Sequence, residues 1–280
     1  MSAGALDLEL GPYRLSVATG FGPRVLGMRL GAGPEIFANL SPEVVIDLPG
    51  SGTYTFRGGH RLWASPEIPG VTYAPDDEPC RVVSEEDDVV IIGPTDRAGL
   101  TKSIAIHLAG DRLVVDHTLG NAGTASREVG PWAITQLRLG GVALVPTGSP
   151  VADGPQASHS LILWPYTDLS DPRLSWRLGS LVVEAKAGPP LKLGVGPAPS
   201  RLGYLIDGHV FIKELPPSGP GVYPDRGAAA QIYLNEDFCE LESVGPVSAL
   251  EPGASISHRE VWVVETCEDV DAAHRRVVGE

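Results

Sequence analysis

An all-β fold of packed antiparallel sheets is what this sequence predicts, and three observations carry the prediction. Short apolar runs with a two-residue period recur along the chain; 34 glycines and 26 prolines punctuate those runs without massing in one tail; and a single segment reads as helix. Such sheets must bury one face against another, and 280 residues suffice to do so around a sizeable core.

In chain order the strand-like runs are YRLSVAT, RVLGMRL, EVVID, DDVVIIG, LTKSIAIHLAGDRLVVDHTL, LGGVALVP, SLILWPY, SLVVEAK, HVFIKEL, AAQIYL, CELESV and HREVWVVE. SIAIHL and RLVVDHTL, joined through Ala109-Gly110-Asp111, read as a hairpin turning on a glycine-containing loop. The stretch AKAGPPLKLGVGPAPSRLG is rich enough in Pro and Gly to be a linker, yet the strands on either side are alike. It is expected to be a long surface loop within one domain spanning residues 1–280. DVDAAHRRVV reads as a short helix near residues 268–278, and no repeat of fixed period suggests a propeller or solenoid.

Composition restricts function. A formal net charge of -14 would repel a phosphate backbone, and no separate basic face is visible, so no nucleic-acid partner is expected. Cys80, Cys239 and Cys267 are odd in number and lack a C-x-x-C spacing, which speaks against a disulfide framework or zinc knuckle and for a reducing compartment. MSAGALDLEL has no basic-then-apolar pattern and no run is long enough to cross a bilayer, so the expectation is a soluble cytoplasmic protein without a membrane partner. The histidines show neither H-x-x-x-H nor H-x-H spacing, so no obligatory metal is expected. Neither a G-x-S-x-G elbow nor a phosphate-cradling glycine motif is present, and no cofactor is expected.

The densest chemistry lies in RGGHRLWASPE, residues 57–67. Gly58 and Gly59 permit a sharp turn or the close approach of a ligand. His60 is a candidate acid or base near neutral pH, Arg57 and Arg61 offer planar donors, and Trp63 offers an apolar face on which a pyranose can rest. The same residues also fit a structural role, with His60 and Arg61 bonded to buried carbonyls and Glu67 paired to Arg61. In FCELESVGP, Glu240 and Glu242 point to one face of a strand, where like charges raise at least one pKa and suit a general base; a solvated strand face is the plainer alternative. PWAITQ adds Trp132 and Gln136, LWPYTD adds aromatics around Pro165 at an edge strand or a departure from the sheet, and Lys213 either reaches a site or extends into water.

FRGGHRLWASPE, LWPYTDLSDPR, HVFIKEL and YLNEDFCELESVGPVSALEPGASISHREVW together resemble an uncharacterised bacterial family with a fold similar to aldose 1-epimerase (galactose mutarotase), over roughly residues 10–265. The resemblance implies a galactose mutarotase-like β-supersandwich with a carbohydrate-sized cleft on one sheet. Leu241-Glu242-Ser243 resembles the Leu-Glu-Thr stretch whose glutamate is the general base, so Glu242 inherits that role, with Glu240 as the second choice. Where active enzymes carry Asn-His-x-Tyr-Phe-Asn, this chain has Trp132-Ala133-Ile134-Thr135-Gln136, so His60 becomes the expected proton donor. Gly58-Gly59 resembles the Arg-Gly-Gly segment of the hexose-6-phosphate epimerase branch, and Arg57 with Arg61 forms a basic island suited to an anionic sugar. The expected partner is a small-molecule sugar, bound by Arg57, Arg61, Trp63, Glu67, Trp132, Gln136 and Lys213 in a monomer or homodimer. Three functions follow: anomerisation or epimerisation of a monosaccharide, non-catalytic sugar binding, or lyase or isomerase action on a uronate.

Overall fold

The structure is a computed structural model that describes residues 4–48, 52–147, 157, 159–197 and 199–279. Its first strands are β1 (Ala5–Leu10), β2 (Tyr13–Ala18), β3 (Arg24–Leu30), β4 (Asn39–Leu48) and β5 (Gly52–Ser65), followed by the single turn α1 (Pro69–Thr72). Next come β6 (Arg81–Glu85), β7 (Asp88–Ile92), β8 (Leu100–Ala109), β9 (Arg112–Asn121), β10 (Arg127–Leu137), β11 (Val142–Pro146), β12 (Ser160–Leu163), β13 (Leu174–Arg177) and β14 (Ser180–Glu184). The chain continues through β15 (Leu191–Gly196), β16 (Arg201–Ile206), β17 (His209–Glu214), the turn α2 (Pro224–Gly227), β18 (Ala230–Leu234), β19 (Cys239–Val244), β20 (Ser248–Leu250), β21 (Ser255–Thr266) and α3 (Val270–Val278).

The strands form two antiparallel sheets, as the sequence predicts. One runs β1-β2-β3-β5-β10-β19-β18-β15-β12, with β4 paired to β5 and β20 to β10; the other runs β13-β14-β11-β16-β17-β21-β9-β8-β7-β6. Alternation explains their packing. In β9, Leu113, Val115, His117 and Leu119 are buried between the sheets while Arg112, Val114, Asp116 and Thr118 are not; in β21, His258, Glu260, Trp262 and Val264 face the same interior, whereas Val263, of the opposite parity, is buried with Ala273 and Val277 of α3. Leu15, Val25 and Met28 of the first sheet meet Ile106, Val115, Phe211 and Trp262 of the second in one core.

The 100–121 hairpin closes as expected, with Ala109 opposite Arg112 and Gly110 at φ 67 in the two-residue loop. The C-terminal helix also forms. Asp269 accepts the Ala272 N–H at its start, and Gly279 adopts φ 86 just past its end. The 185–203 stretch departs from expectation: it contains β15, a buried strand between β18 and β12. Leu191, Leu193 and Val195 enter the core, while the intervening Lys192 and Gly194 face away from it.

Gly58 and Gly59, at φ 79 and 71, mark where β5 leaves β4 and joins β3 and β10. A Cβ on either would lie 1.9 Å from the Ala38 carbonyl oxygen or 2.1 Å from that of Val25. The close approach these glycines allow is thus between strands of this chain, and the preceding ribbon folds over the outer face of the first sheet. There Tyr54, Ile46, Leu48 and Phe56 pack on Trp63, Trp132, Ile134 and Val244.

Candidate functional site

Register decides which side chains meet, because residues directly opposite in adjacent strands share a face. Arg61 pairs with Ile134, Ile134 with Glu242, and Glu242 with Gln231, giving one row across the outer face. The next row is Gln136, Glu240, Tyr233 and Lys192, and the row on the other side holds Trp63, Trp132 and Val244. His60, Thr135, Leu241 and Ser243 occupy the opposite parity and point between the sheets.

On the outer face, two buried acids anchor the arrangement. Glu240 accepts Arg61 Nη2 and Gln136 Nε2, both at 3.0 Å, and the Arg61 guanidinium lies 4.1 Å over the Trp63 ring. Glu242 is fully buried; its Oε2 accepts Trp132 Nε1 at 2.6 Å and Lys192 Nζ at 3.2 Å. Burial pushes Glu242 up, Lys192 opposes this, Glu240 adds to it, and the carboxyl settles at about 7. Glu242 Oε1, Gln136 Oε1, Gln231 Oε1 and Arg61 Nε and Nη1 are buried with no hydrogen-bond partner among the described residues. Three tyrosines stand around these acids. Burial and the neighbouring carboxylates raise the phenols of Tyr73, Tyr166 and Tyr233, and Tyr73 donates to Glu67 at 2.6 Å.

Between the sheets lies a second, separate polar cluster. His117 Nδ1–H donates to the His258 carbonyl at 2.9 Å, which leaves its Nε2 to accept from His60 Nε2–H at 2.6 Å; His60 Nδ1 then accepts from the Thr135 hydroxyl at 2.8 Å. His258 Nε2–H donates to Ser243 Oγ at 2.6 Å, and the Ser243 hydroxyl donates to Glu260. Lys213 Nζ sits 3.0 Å from Glu260 Oε1, and Trp262 Nε1 donates to Glu260 Oε2 at 2.9 Å. Burial would raise the Glu260 carboxyl, but the Lys213 ammonium and the hydrogen bond from Ser243 outweigh it and hold that carboxyl below its usual range. His60, His117 and Glu260 bring ligand atoms within 4.8 Å of one another, but a metal there would have to displace the Lys213 ammonium and break the His60–His117 bond.

This cluster sets an acid sensitivity. Burial pushes His258 down to about 4 and depresses His60 and His117 as well. The unfolded chain binds these protons near pH 6.5 and the folded chain does not, so their contribution to stability is complete above that pH and is lost as pH falls toward 4. His258 alone should account for roughly 3 kcal/mol. Thermal denaturation at pH 7.5 and 4.5 is the check; an unchanged melting temperature would refute it.

The expected site residues therefore divide. Glu242, Glu240, Arg61, Trp63, Trp132 and Gln136 come together on the outer face, with Glu67 beside Tyr73. His60 and Lys213 do not: both are fully buried on the other side of the sheet. Their placement as cleft residues is corrected: His60 precedes Arg61 by one residue and must face away from it, and Lys213 lies on β17 of the second sheet, where its ammonium meets the buried Glu260 between the sheets. Arg57 and Arg61 do not form one basic island either: Arg57 bonds Asp76 and Asp77, whereas Arg61 bonds Glu240. Nor is Trp63 an open platform, being 6% exposed beneath Arg61 and among Tyr54, Tyr73 and Trp132. Two residues of this face are not singled out by the sequence: Gln231, opposite Glu242, and Lys192, in the Pro- and Gly-rich stretch that reads as a loop. The alternation Leu-Lys-Leu-Gly-Val-Gly was the available signal for Lys192.

Two antiparallel sheets joined in this order define the galactose mutarotase-like fold, and here the paired acids Glu240 and Glu242 lie two residues apart on β19, on the outer face of the first sheet. The chain is similar over 94% of its length to a galactose mutarotase-like protein of Lactobacillus casei, covering 100% of that chain at 12% identity and a TM-score of 0.56. Over 95% of its length it is similar to a galactose mutarotase related enzyme of Lactobacillus acidophilus, covering 98% of that chain at 9% identity and a TM-score of 0.58. A galactose 1-epimerase from Lactobacillus acidophilus matches 94% of it, with 95% of that chain covered, 12% identity and a TM-score of 0.53. At such identities the likeness speaks for the fold. No family model and no curated protein matches the chain. The three cysteines are free thiols, and no helix among the described residues is long and apolar enough to cross a membrane.

Proposed function

We propose that the protein is carbohydrate-active, of the aldose 1-epimerase type, and that Glu242 removes the proton from the anomeric hydroxyl of a monosaccharide on the outer face. The unpartnered atoms carry this reading: two donors on Arg61 and three acceptors on Gln136, Gln231 and Glu242 line one face. Buried polar atoms are normally satisfied, and hydroxyls, which donate and accept, suit a mixed set of this kind. A carboxyl at about 7 with one free oxygen is also matched to accepting a proton near neutral pH.

Glu242→Gln removes the base while keeping the shape. Anomer exchange, followed by polarimetry or by NMR over a panel of aldoses at pH 7.5, should slow by about 10² to 10⁴; an unchanged rate would eliminate Glu242. In the wild-type protein the rate should fall as pH drops through about 7, where the carboxyl takes up its proton. The absence of His60 from this face favours one other reading, a sugar-binding module without proton transfer, which would show saturable binding and no catalysed exchange.

A further inference from the structure

Anomerisation needs a proton donor for the ring oxygen as well as a base for the anomeric hydroxyl. Both oxygens are bonded to one carbon, so donor and base must each come within hydrogen-bond reach, about 2.6–3.2 Å, of the same small region. A group on the other side of the sheet cannot serve, which removes His60.

Among the side chains around Glu242, few can release a proton. Arg61 holds its proton too tightly, and Trp132, Gln136 and Gln231 are amides or an indole. Lys192 differs. Its Nζ lies 3.2 Å from Glu242 Oε2, 4.7 Å from the centre of the Trp132 ring and 5.0 Å from that of Trp164, and the residue is only 6% exposed. Its backbone is held as well: Thr167 Oγ1 donates to its carbonyl at 2.5 Å and accepts its N–H at 3.2 Å. Two residues on, Gly194 leaves room for Trp164, whose ring would lie 3.2 Å from a Cβ at that position. The LWPYTD segment, after leaving the sheet at Leu163, thus returns over β15 and lays an indole on the ammonium. A lysine confined between two aromatic faces and a carboxylate is placed for a purpose that a surface lysine does not need.

We infer that Lys192 is the proton donor to the ring oxygen, an inference that rests on the epimerase reading above. As Glu242 Oε1 takes the proton of the anomeric hydroxyl, the carbonyl forms, the bond from C1 to the ring oxygen breaks with its electron pair passing to that oxygen, and the oxygen takes a proton from the Lys192 ammonium. The ion pair becomes a neutral acid and a neutral amine. The pair's net charge is zero before and after, so the buried site carries no new net charge. Rotation about the C1–C2 bond and the reverse steps return both protons and yield the other anomer.

Lys192→Met and Lys192→Arg test this together. Both should lower the anomer-exchange rate by about 10² to 10⁴, while sugar binding, followed by saturation-transfer NMR, changes only a few-fold and circular dichroism shows the fold intact. Arginine keeps the charge and the pairing with Glu242 but does not surrender its proton, so a lysine that merely positions Glu242 would be rescued by it. Recovery of the wild-type rate in Lys192→Arg overturns the inference and leaves the function of Glu242 standing. Loss of rate in Tyr166→Phe or Tyr233→Phe with Lys192→Met unaffected would also overturn it. If the wild-type protein accelerates exchange of no aldose, the epimerase reading fails and this inference falls with it.

Discussion

Lys213→Met is expected to destabilise the protein by about 3–5 kcal/mol, because it leaves a buried carboxylate without its countercharge. Lys213 and Glu260 are both fully buried and 3.0 Å apart, so water reaches neither. The ammonium also donates to the Leu241 carbonyl at 3.0 Å and to Thr135 Oγ1 at 3.2 Å, tying β17 of one sheet to β19 and β10 of the other. A domain is usually stable by only about 5–15 kcal/mol, so the variant should lie near the edge of folding. Urea denaturation gives the number. The double variant Lys213→Met/Glu260→Gln should recover part of the loss, since it removes the orphaned charge. A single-variant effect below about 1 kcal/mol would mean that the pair is neutral in the folded protein, or that the neighbouring histidines take over the missing charge.

The sheets were legible because alternation survives in most strands. HREVWVVE places His258, Glu260, Trp262 and Val264 on one side, and that is the buried side. What alternation alone could not supply was the identity of each face. His60, Glu260 and Lys213 sit at core-facing positions, where charged and titratable groups are uncommon, so a reading that sends polar residues to clefts misplaces them. Parity did contain a warning, since His60 and Arg61 are adjacent and a strand cannot turn both to one ligand. Glu240 and Glu242 posed no such conflict and share the outer face. The missed strand β15 failed for another reason: Pro and Gly around it mimic a loop, and glycines at Gly194 and Gly196 erase the polar half of its period. Those glycines are there for packing. A Cβ at Gly196 would lie 2.0 Å from the Gly227 carbonyl oxygen, and one at Gly194 would lie 2.6 Å from the Ala228 side chain.

Gly58→Ala should be nearly as damaging as the loss of Lys213. At φ 79 an L-residue is strained by about 1–2 kcal/mol, and its Cβ would fall 1.9 Å from the Ala38 carbonyl oxygen, which is backbone and has no rotamer to change. Relief requires β5 to move away from the 38–39 segment, a rearrangement of the kind that costs about 1–3 kcal/mol more. Arg24 Nη1 donates to the Gly58 carbonyl at 2.9 Å, so the same movement loosens a guanidinium that also binds Tyr54 and Asp76. Gly110→Ala separates the two effects: it has φ 67 but nothing within 4 Å of the added Cβ, and should lose only the conformational part, about 1–2 kcal/mol. Since the kink also aims Arg61 and Trp63 at the outer face, Gly58→Ala should weaken the near-ultraviolet circular dichroism from Trp63 and Trp132, whereas Gly110→Ala should leave it unchanged. Equal destabilisation of the two variants in urea would show that the strand crossing at Gly58 yields easily, and the contact with Ala38 would then have no part in fixing the bend.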